Sequence, residues 1–379
     1  MRILLAGPDH AEGSITPYLD VLADGLRGLG ATVERIGTPG LPYDHATGQW
    51  WPASRIAGCA RELAGSVDLA RFDLVSVHYG NLEIEQLLPV FWAQPRPPVI
   101  HHVHALDWTL FTRHRPDPAL RSAVETGLTH ADALIFFGDY GRRELTRRLP
   151  ASASCPGTVI PLPTTIPTGT PALATAAVHN ALRAAEPDAI LLTLYGFAAP
   201  WKDVTGLLEA LDSTRARLHV VLAGPFWDDP QQAGCDLRPA VGTPIRLGGA
   251  ARLAVLPEYL GPGARAALVS ASHAGVFPYR PHPSFQGSGA IADYLANGVP
   301  VIATDVANFA ELAGTAGLVA PPGRPGQIAA AMDAFARDDD HRAGLAATAA
   351  SRSTVFTPAT HAAACLDFYR TVTSAHPAR

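Results

Sequence analysis

Gly298-Val299-Pro300-Val301-Ile302-Ala303-Thr304-Asp305-Val306 is the stretch from which the architecture unfolds. Val299–Ala303 is a short apolar run without alternation, the pattern of a strand covered on both faces. A helical pattern, Gly289–Asn297, precedes it, and a short helix, Phe309–Ala313, follows. Helix, buried strand, helix is the repeating unit of a parallel α/β sheet.

The same grammar extends in both directions. Downstream come a short strand, Leu318–Val319, and helices near Pro325–Arg337, His341–Arg352 and Pro358–Ser374. Upstream lie strands Ile190–Leu194, Leu218–Ala223, Ile245–Leu247 and Ala274–Phe277, with loop Gly196–Asp203 and helix Val204–Leu211. Before these, Pro161–Pro171 carries four prolines and reads as an interdomain linker. The first half repeats the pattern, with strands Arg2–Ala6, Thr32–Ile36, Leu74–His78, Pro98–His104, Ala133–Phe137 and Thr158–Ile160. Its helices are Ile15–Gly28 and those near Ala53–Ala64, Pro118–Thr129 and Tyr140–Arg148. Two Rossmann-like domains are expected, 1–165 and 180–355. Ligands bind such sheets at the carboxyl ends of the strands, so the expected site is a cleft between domains.

Composition bounds the function. A chain of 379 residues suits two α/β domains, and 47% hydrophobic residues fill two cores. The net charge of −5 and the lack of a Lys/Arg run argue against a nucleic-acid partner. No stretch approaches the roughly 18–20 unbroken apolar residues of a membrane span. Met1-Arg2 runs straight into a buried-strand pattern, so no cleavable signal is expected. Cys59, Cys155, Cys235 and Cys365 form no CxxC pair, which argues against structural zinc and fits a reducing cytoplasm.

Six segments, in chain order, carry a family resemblance. They are Asp73–His78, Val99–His104, Ala131–Ile135 with Tyr140–Leu145, Gly196–Asp203, Gly298–Val306 with Glu311-Leu312, and Gly317–Gly323. Together they resemble glycosyltransferase family 4 (group 1), from about residue 1 to about residue 370. The resemblance implies a GT-B fold, two Rossmann-like domains with facing parallel sheets, and a last helix, 358–374, that crosses back to the first domain. It also implies retention of anomeric configuration, no metal and no cofactor, the nucleotide-diphosphate-sugar being a substrate. The partners implied are that donor and a small-molecule or glycan acceptor.

Site residues follow from the motifs. Ser288-Gly289-Ala290 enters a helix after Pro278-Tyr279-Arg280 and resembles a "PYR…Q…SG" variant of the usual E-x7-E pattern. Amides at a helix N-terminus are aimed at anions, so Ser288, Gly289 and Ala290 are expected on the diphosphate, with Gln286 near the sugar. A plain Ser N-cap is the competing reading. The family's first Glu falls at Phe285 or Gln286. Its second, which grips the ribose, is matched by Asp293. In Gly196–Asp203, Lys202 matches the family's phosphate lysine, whereas Phe197 stands where an Arg is usual, and Arg280 is the candidate substitute. Gly13 and Ser14 resemble the Gly-rich loop beside diphosphate and acceptor; a simple helix start competes.

His101, His102 and His104 end one strand, with His102 and His104 on one face. A metal needs a third convergent ligand, which the sequence does not offer. His104 matches a family histidine close to the reacting sugar, and Asp107 is a carboxylate that could orient the acceptor. His78 is left as structural. The mechanism expected is front-face transfer, with Lys202, Arg280 and the Ser288–Ala290 amides stabilising the departing diphosphate. Two other readings keep the fold: a nucleotide-sugar 2-epimerase, and a non-catalytic sugar-nucleotide binding protein.

Overall fold

Strands buried along their whole length become the centres of two sheets. Val99–Val103 is buried along its whole length, as are Leu218–Ala223 and Val301–Thr304. Burial on both faces is why these segments lack the in–out alternation of a half-exposed strand. The structure, a computed structural model, describes residues 1–10, 14–40, 42–44, 46–47, 49–79, 84–106, 118–168, 175–196, 200–225, 237–248, 250–282 and 287–376.

The chain divides into two units. The first holds Met1–Pro161 and Pro358–Arg379; the second holds Leu162–His282 and Ser288–Thr357. In the first unit, β1 (Arg2–Ala6) pairs with β2 (Thr32–Ile36). A two-stranded ribbon, β3 (Tyr43–Asp44) with β4 (Gln49–Trp50), stands apart from the sheet. Then come β5 (Leu74–Tyr79), β6 (Val99–Val103), β7 (Ala133–Phe136) and β8 (Gly157–Val159). The sheet order is β2-β1-β5-β6-β7-β8, all parallel. Fully buried Leu4, Val75, Val77, Val99 and Leu134 belong to its core.

Helix Ile15–Gly28 buries Ile15, Tyr18, Leu19, Leu22, Ala23 and Leu26, one face at the 3.6-residue period. The last helix, Pro358–Ala375, packs on it. A Cβ at Gly25 would lie 2.6 Å from Ala362 Cβ, so glycine lets the two helices approach this closely.

The second unit holds β9 (Ile190–Tyr195), β10 (Leu218–Ala223), β11 (Ile245–Leu247), β12 (Ala251–Leu256), β13 (Ala274–Phe277), β14 (Val301–Thr304) and β15 (Gly317–Ala320). Their order is β11-β12-β10-β9-β13-β14-β15, parallel except where β11 meets β12. Sequence periodicity misses β12 and the helix after it, Pro262–Ala271. Alanine and arginine dilute the apolar run of β12, and only its central place beside β10 makes it a strand. The segment expected as a free linker is tied down in its first part. Thr164 Oγ1 and the Thr165 amide both donate to Asp293, at 2.6 and 2.8 Å.

Candidate functional site

In each sheet the chain leaves one strand toward opposite edges. That topological switch point opens a crevice at the strands' carboxyl ends. In the second unit it falls between β9 and β13. Gly196 follows β9, and Pro278-Tyr279-Arg280 follows β13.

Lys202 ends a short 3-10 turn, Pro200–Lys202, and is 8% exposed. Its ammonium donates to the carbonyl of Tyr195 at 3.1 Å and forms no ion pair among the described residues. Burial alone pulls its pKa down to about 7. Gly196 makes room for it: φ is +102°, and a Cβ there would lie 2.5 Å from Nζ. The ammonium lies 5.8 Å from the ring centroid of Tyr279. The Tyr279 side chain is in turn hydrogen-bonded to Ser288. Lys202 and Ser288 therefore adjoin one aromatic side chain, and burial raises the pKa of Tyr279 so that its hydroxyl stays protonated.

Ser288 is the N-cap of helix Gly289–Ala296, its hydroxyl accepting from the Ile291 amide at 3.3 Å. The cap reading holds for the side chain, while Gly289 and Ala290 lie in the first turn, where amides lack intrahelical partners. Arg280 pairs with Asp203 Oδ1 at 2.6 Å and is 55% exposed along its side chain. Asp203, at φ +48°, also caps helix Val204–Ser213 through the Gly206 amide. The charge of Arg280 is thus matched by a buried carboxylate, unlike that of Lys202. Asp293 is 2% exposed. One of its oxygens takes Thr164 and Thr165, and the other takes the Tyr195 hydroxyl. Burial raises its pKa against these hydrogen bonds. The protein's own groups account for this carboxylate, which the family pattern places on a ribose.

Ser14 is exposed and opens helix Ile15–Gly28 without a side-chain cap bond. The Thr16 hydroxyl donates to the His10 carbonyl at 2.6 Å. Gly13, Asp107, Phe197 and Gln286 lie outside the described residues.

The first unit's switch point falls between β1 and β5. There the register sets His78 beside His102, and alternation puts Ser76 and His104 on the same face. His101 faces the other way, its pKa held at about 3 by burial and by the Arg96 guanidinium. The last helix contributes His361, Cys365 and Tyr369, spaced four apart on one buried face. Tyr18 comes from helix Ile15–Gly28. Burial lowers the pKa of every imidazole here, to about 3 at His104 and about 4 at His361, so all are neutral at pH 7.

A third ligand, absent from the sequence pattern, is supplied by His78. One ring nitrogen each of His78, His102 and His104 lie within 4.8 Å of one another. Both nitrogens of His102, however, already meet tyrosine hydroxyls, Tyr18 at 2.9 Å and Tyr369 at 2.8 Å. A metal would have to displace one of them. Sequence reasoning missed Tyr18, His361 and Tyr369. The available signal was polar residues at every fourth position along the buried face of the last helix.

The two parallel α/β sheets define a GT-B architecture, and the comparisons agree. Residues 189–338 match the model of the family described as glycosyl transferases group 1, so the chain carries a glycosyl transferase domain and is a transferase. No curated relative matches by sequence. Among solved structures, sucrose-phosphate synthase from Thermosynechococcus elongatus is similar at 16% identity, over 99% of this chain and 100% of that one, with TM-score 0.72. Anabaena Alr3699/HepE in complex with UDP is similar at 15% identity, over 98% and 100%, with TM-score 0.70. A glycosyltransferase from Rickettsia africae is similar at 13% identity, over 98% of each chain, with TM-score 0.67.

Proposed function

We propose that the protein transfers a sugar from a nucleoside diphosphate donor to an acceptor hydroxyl, with retention and without a metal ion. The carrying observation is Lys202, a buried ammonium that forms no ion pair among the described residues. Burying an uncompensated cation is costly, and a mobile anion removes that cost on binding. A diphosphate fits, because Ser288, the N-cap of helix Gly289–Ala296, is hydrogen-bonded to the same Tyr279 that adjoins the ammonium. Solved structures of similar fold titled as complexes with UDP and UDP-glucose support the donor class.

As the C1–O bond of the donor loosens, negative charge grows on the departing diphosphate. Lys202 and the Gly289 and Ala290 amides act on that charge in the transition state. Arg280, already matched by Asp203, adds hydrogen-bond donors rather than net charge. His104 accepts a hydrogen bond from a hydroxyl of the reacting sugars, and the leaving phosphate oxygen takes the acceptor's proton.

The test is proton-linked binding of UDP-glucose, whose diphosphate does not titrate near neutrality. An anion beside Lys202 raises its pKa above about 7, so binding takes up a proton at pH 8. Affinity is full below pH 7 and falls as pH rises through that value. Calorimetry in buffers of different ionisation enthalpy measures the uptake. Binding with no proton uptake, or uptake that survives in Lys202→Met, rejects the assignment. Unchanged turnover after chelation by EDTA is also expected.

A further inference from the structure

Four histidines of the first unit, His78, His102, His104 and His361, are joined in a single series of hydrogen bonds that starts on a backbone carbonyl. His361 Nδ1 lies 2.8 Å from the carbonyl oxygen of Pro161. A carbonyl can only accept, so Nδ1 carries the proton and, in a neutral ring, Nε2 is an acceptor. Every later direction then follows. Tyr18 donates to His361 Nε2 at 2.8 Å, so its oxygen accepts from His102 Nδ1 at 2.9 Å. His102 Nε2 is therefore bare and accepts from Tyr369 at 2.8 Å. Tyr369 in turn accepts from Ser76 at 2.8 Å, and Ser76 accepts from His78 Nε2 at 2.9 Å. His78 Nδ1 is then an acceptor, and His104 Nε2 donates to it at 3.3 Å. Cys365 Sγ, 3.4 Å from His361 Nε2, offers its S–H to the same lone pair as Tyr18.

The series ends at His104 Nδ1, which has no partner among the described residues. Unlike Ser76, His78, His102, His361 and the two tyrosines, His104 is only half-buried. Taking His104 to stand beside the reacting sugar, as proposed above, we propose that this one-way chain fixes His104 in the Nε2–H tautomer and presents Nδ1 as a hydrogen-bond acceptor for a sugar hydroxyl. Tyr18, Ser76, His78, His102, His361 and Tyr369 are positioning residues. Each has its hydrogen-bonding capacity satisfied in one polarity, and reversing that polarity requires one added proton on the chain. Burial disfavours that proton at each of the four rings. A fixed lone pair discriminates: it takes a hydroxyl and rejects an N–H-free, O–H-free position on the substrate.

Tautomers are read directly by long-range ¹H–¹⁵N correlation on protein labelled at histidine, at pH 7 and without ligand. The expected pattern is Nδ1–H at His361 and His102, and Nε2–H at His78 and His104. The opposite tautomer or a charged ring at any of the four overturns the proposal. So does a zinc ion retained in stoichiometric amount after EDTA dialysis, with both His78 Nδ1 and His104 Nε2 deprotonated. Tyr369→Phe cuts the series between Ser76 and His102, and Tyr18→Phe cuts it between His102 and His361. In either variant that folds, His78 and His104 become tautomer mixtures. Turnover falls about threefold to tenfold, the scale of one neutral hydrogen bond, with donor KM unchanged. A His104 tautomer unaltered in both variants overturns the proposal, since a merely structural role moves stability and leaves tautomers alone. If the protein transfers no sugar at all, the spectra still report the chain, so that failure is separable from this one.

Discussion

The two switch points solve the problem of buried polar groups in opposite ways. In the first unit, every nitrogen and hydroxyl from the Pro161 carbonyl to His104 Nε2 has a partner. In the second, an ammonium is buried with the Tyr195 carbonyl as its partner and no counter-charge among the described residues. A neutral, saturated network stabilises itself and sets direction. An unsaturated cation is unfavourable until an anion arrives, so on the proposed function that imbalance becomes binding energy. On that proposal the evenly satisfied groups have a positioning role and the unevenly satisfied one a binding role.

Changes at Lys202 test that contrast hardest. Lys202→Ala should lower turnover by about 100-fold or more, the scale of removing one donor to a developing anion. Lys202→Met, which keeps the volume, should lose the same activity yet raise the ligand-free melting temperature. The stability linked to Lys202 has a definite sign. Its folded pKa of about 7 lies below the unfolded value, so the unfolded chain binds more protons between these values. Wild-type stability should rise relative to Lys202→Met as pH climbs above 7, in urea titrations at several pH values. A Met variant less stable than wild type at pH 7 would mean the ammonium is already well compensated.

Gly196→Ala comes next. The new Cβ meets Nζ at 2.5 Å and the φ of +102° is strained for an L side chain. A cost of about 1–3 kcal/mol in denaturant unfolding is expected, with weaker donor binding because the ammonium is pushed aside. Asp293→Asn sharpens the comparison within the second unit. It should destabilise by about 1–3 kcal/mol through loss of charged acceptance from Thr164, Thr165 and Tyr195. Donor KM should hold steady; a large rise in KM would restore the carboxylate to the ribose. Ser14→Ala should do least, within about 0.5 kcal/mol by thermal melting, because that hydroxyl is exposed and caps nothing.

Most of the sheet order's raw material was legible along the chain. Mostly apolar runs such as Leu218–Ala223 and Val301–Thr304 announce strands buried on both faces. Ala251–Leu256 did not announce itself, because alanine and arginine carry little periodic signal and pairing with β10 decides its state. Of the candidate site, the resemblance named Lys202 and Ser288, and both adjoin Tyr279. It named Arg280 too, without the buried Asp203 that matches its charge.

Local chemistry fixed which segments are strands and helices and which residue types could meet an anion, since both depend on neighbours a few positions away. Partnership was decided only by the tertiary structure. Tyr18 and His361 are 343 positions apart and share one hydrogen bond. Whether a buried charge is matched, as at Arg280, or left open, as at Lys202, depends on atoms brought together by packing, and no period in the chain encodes it.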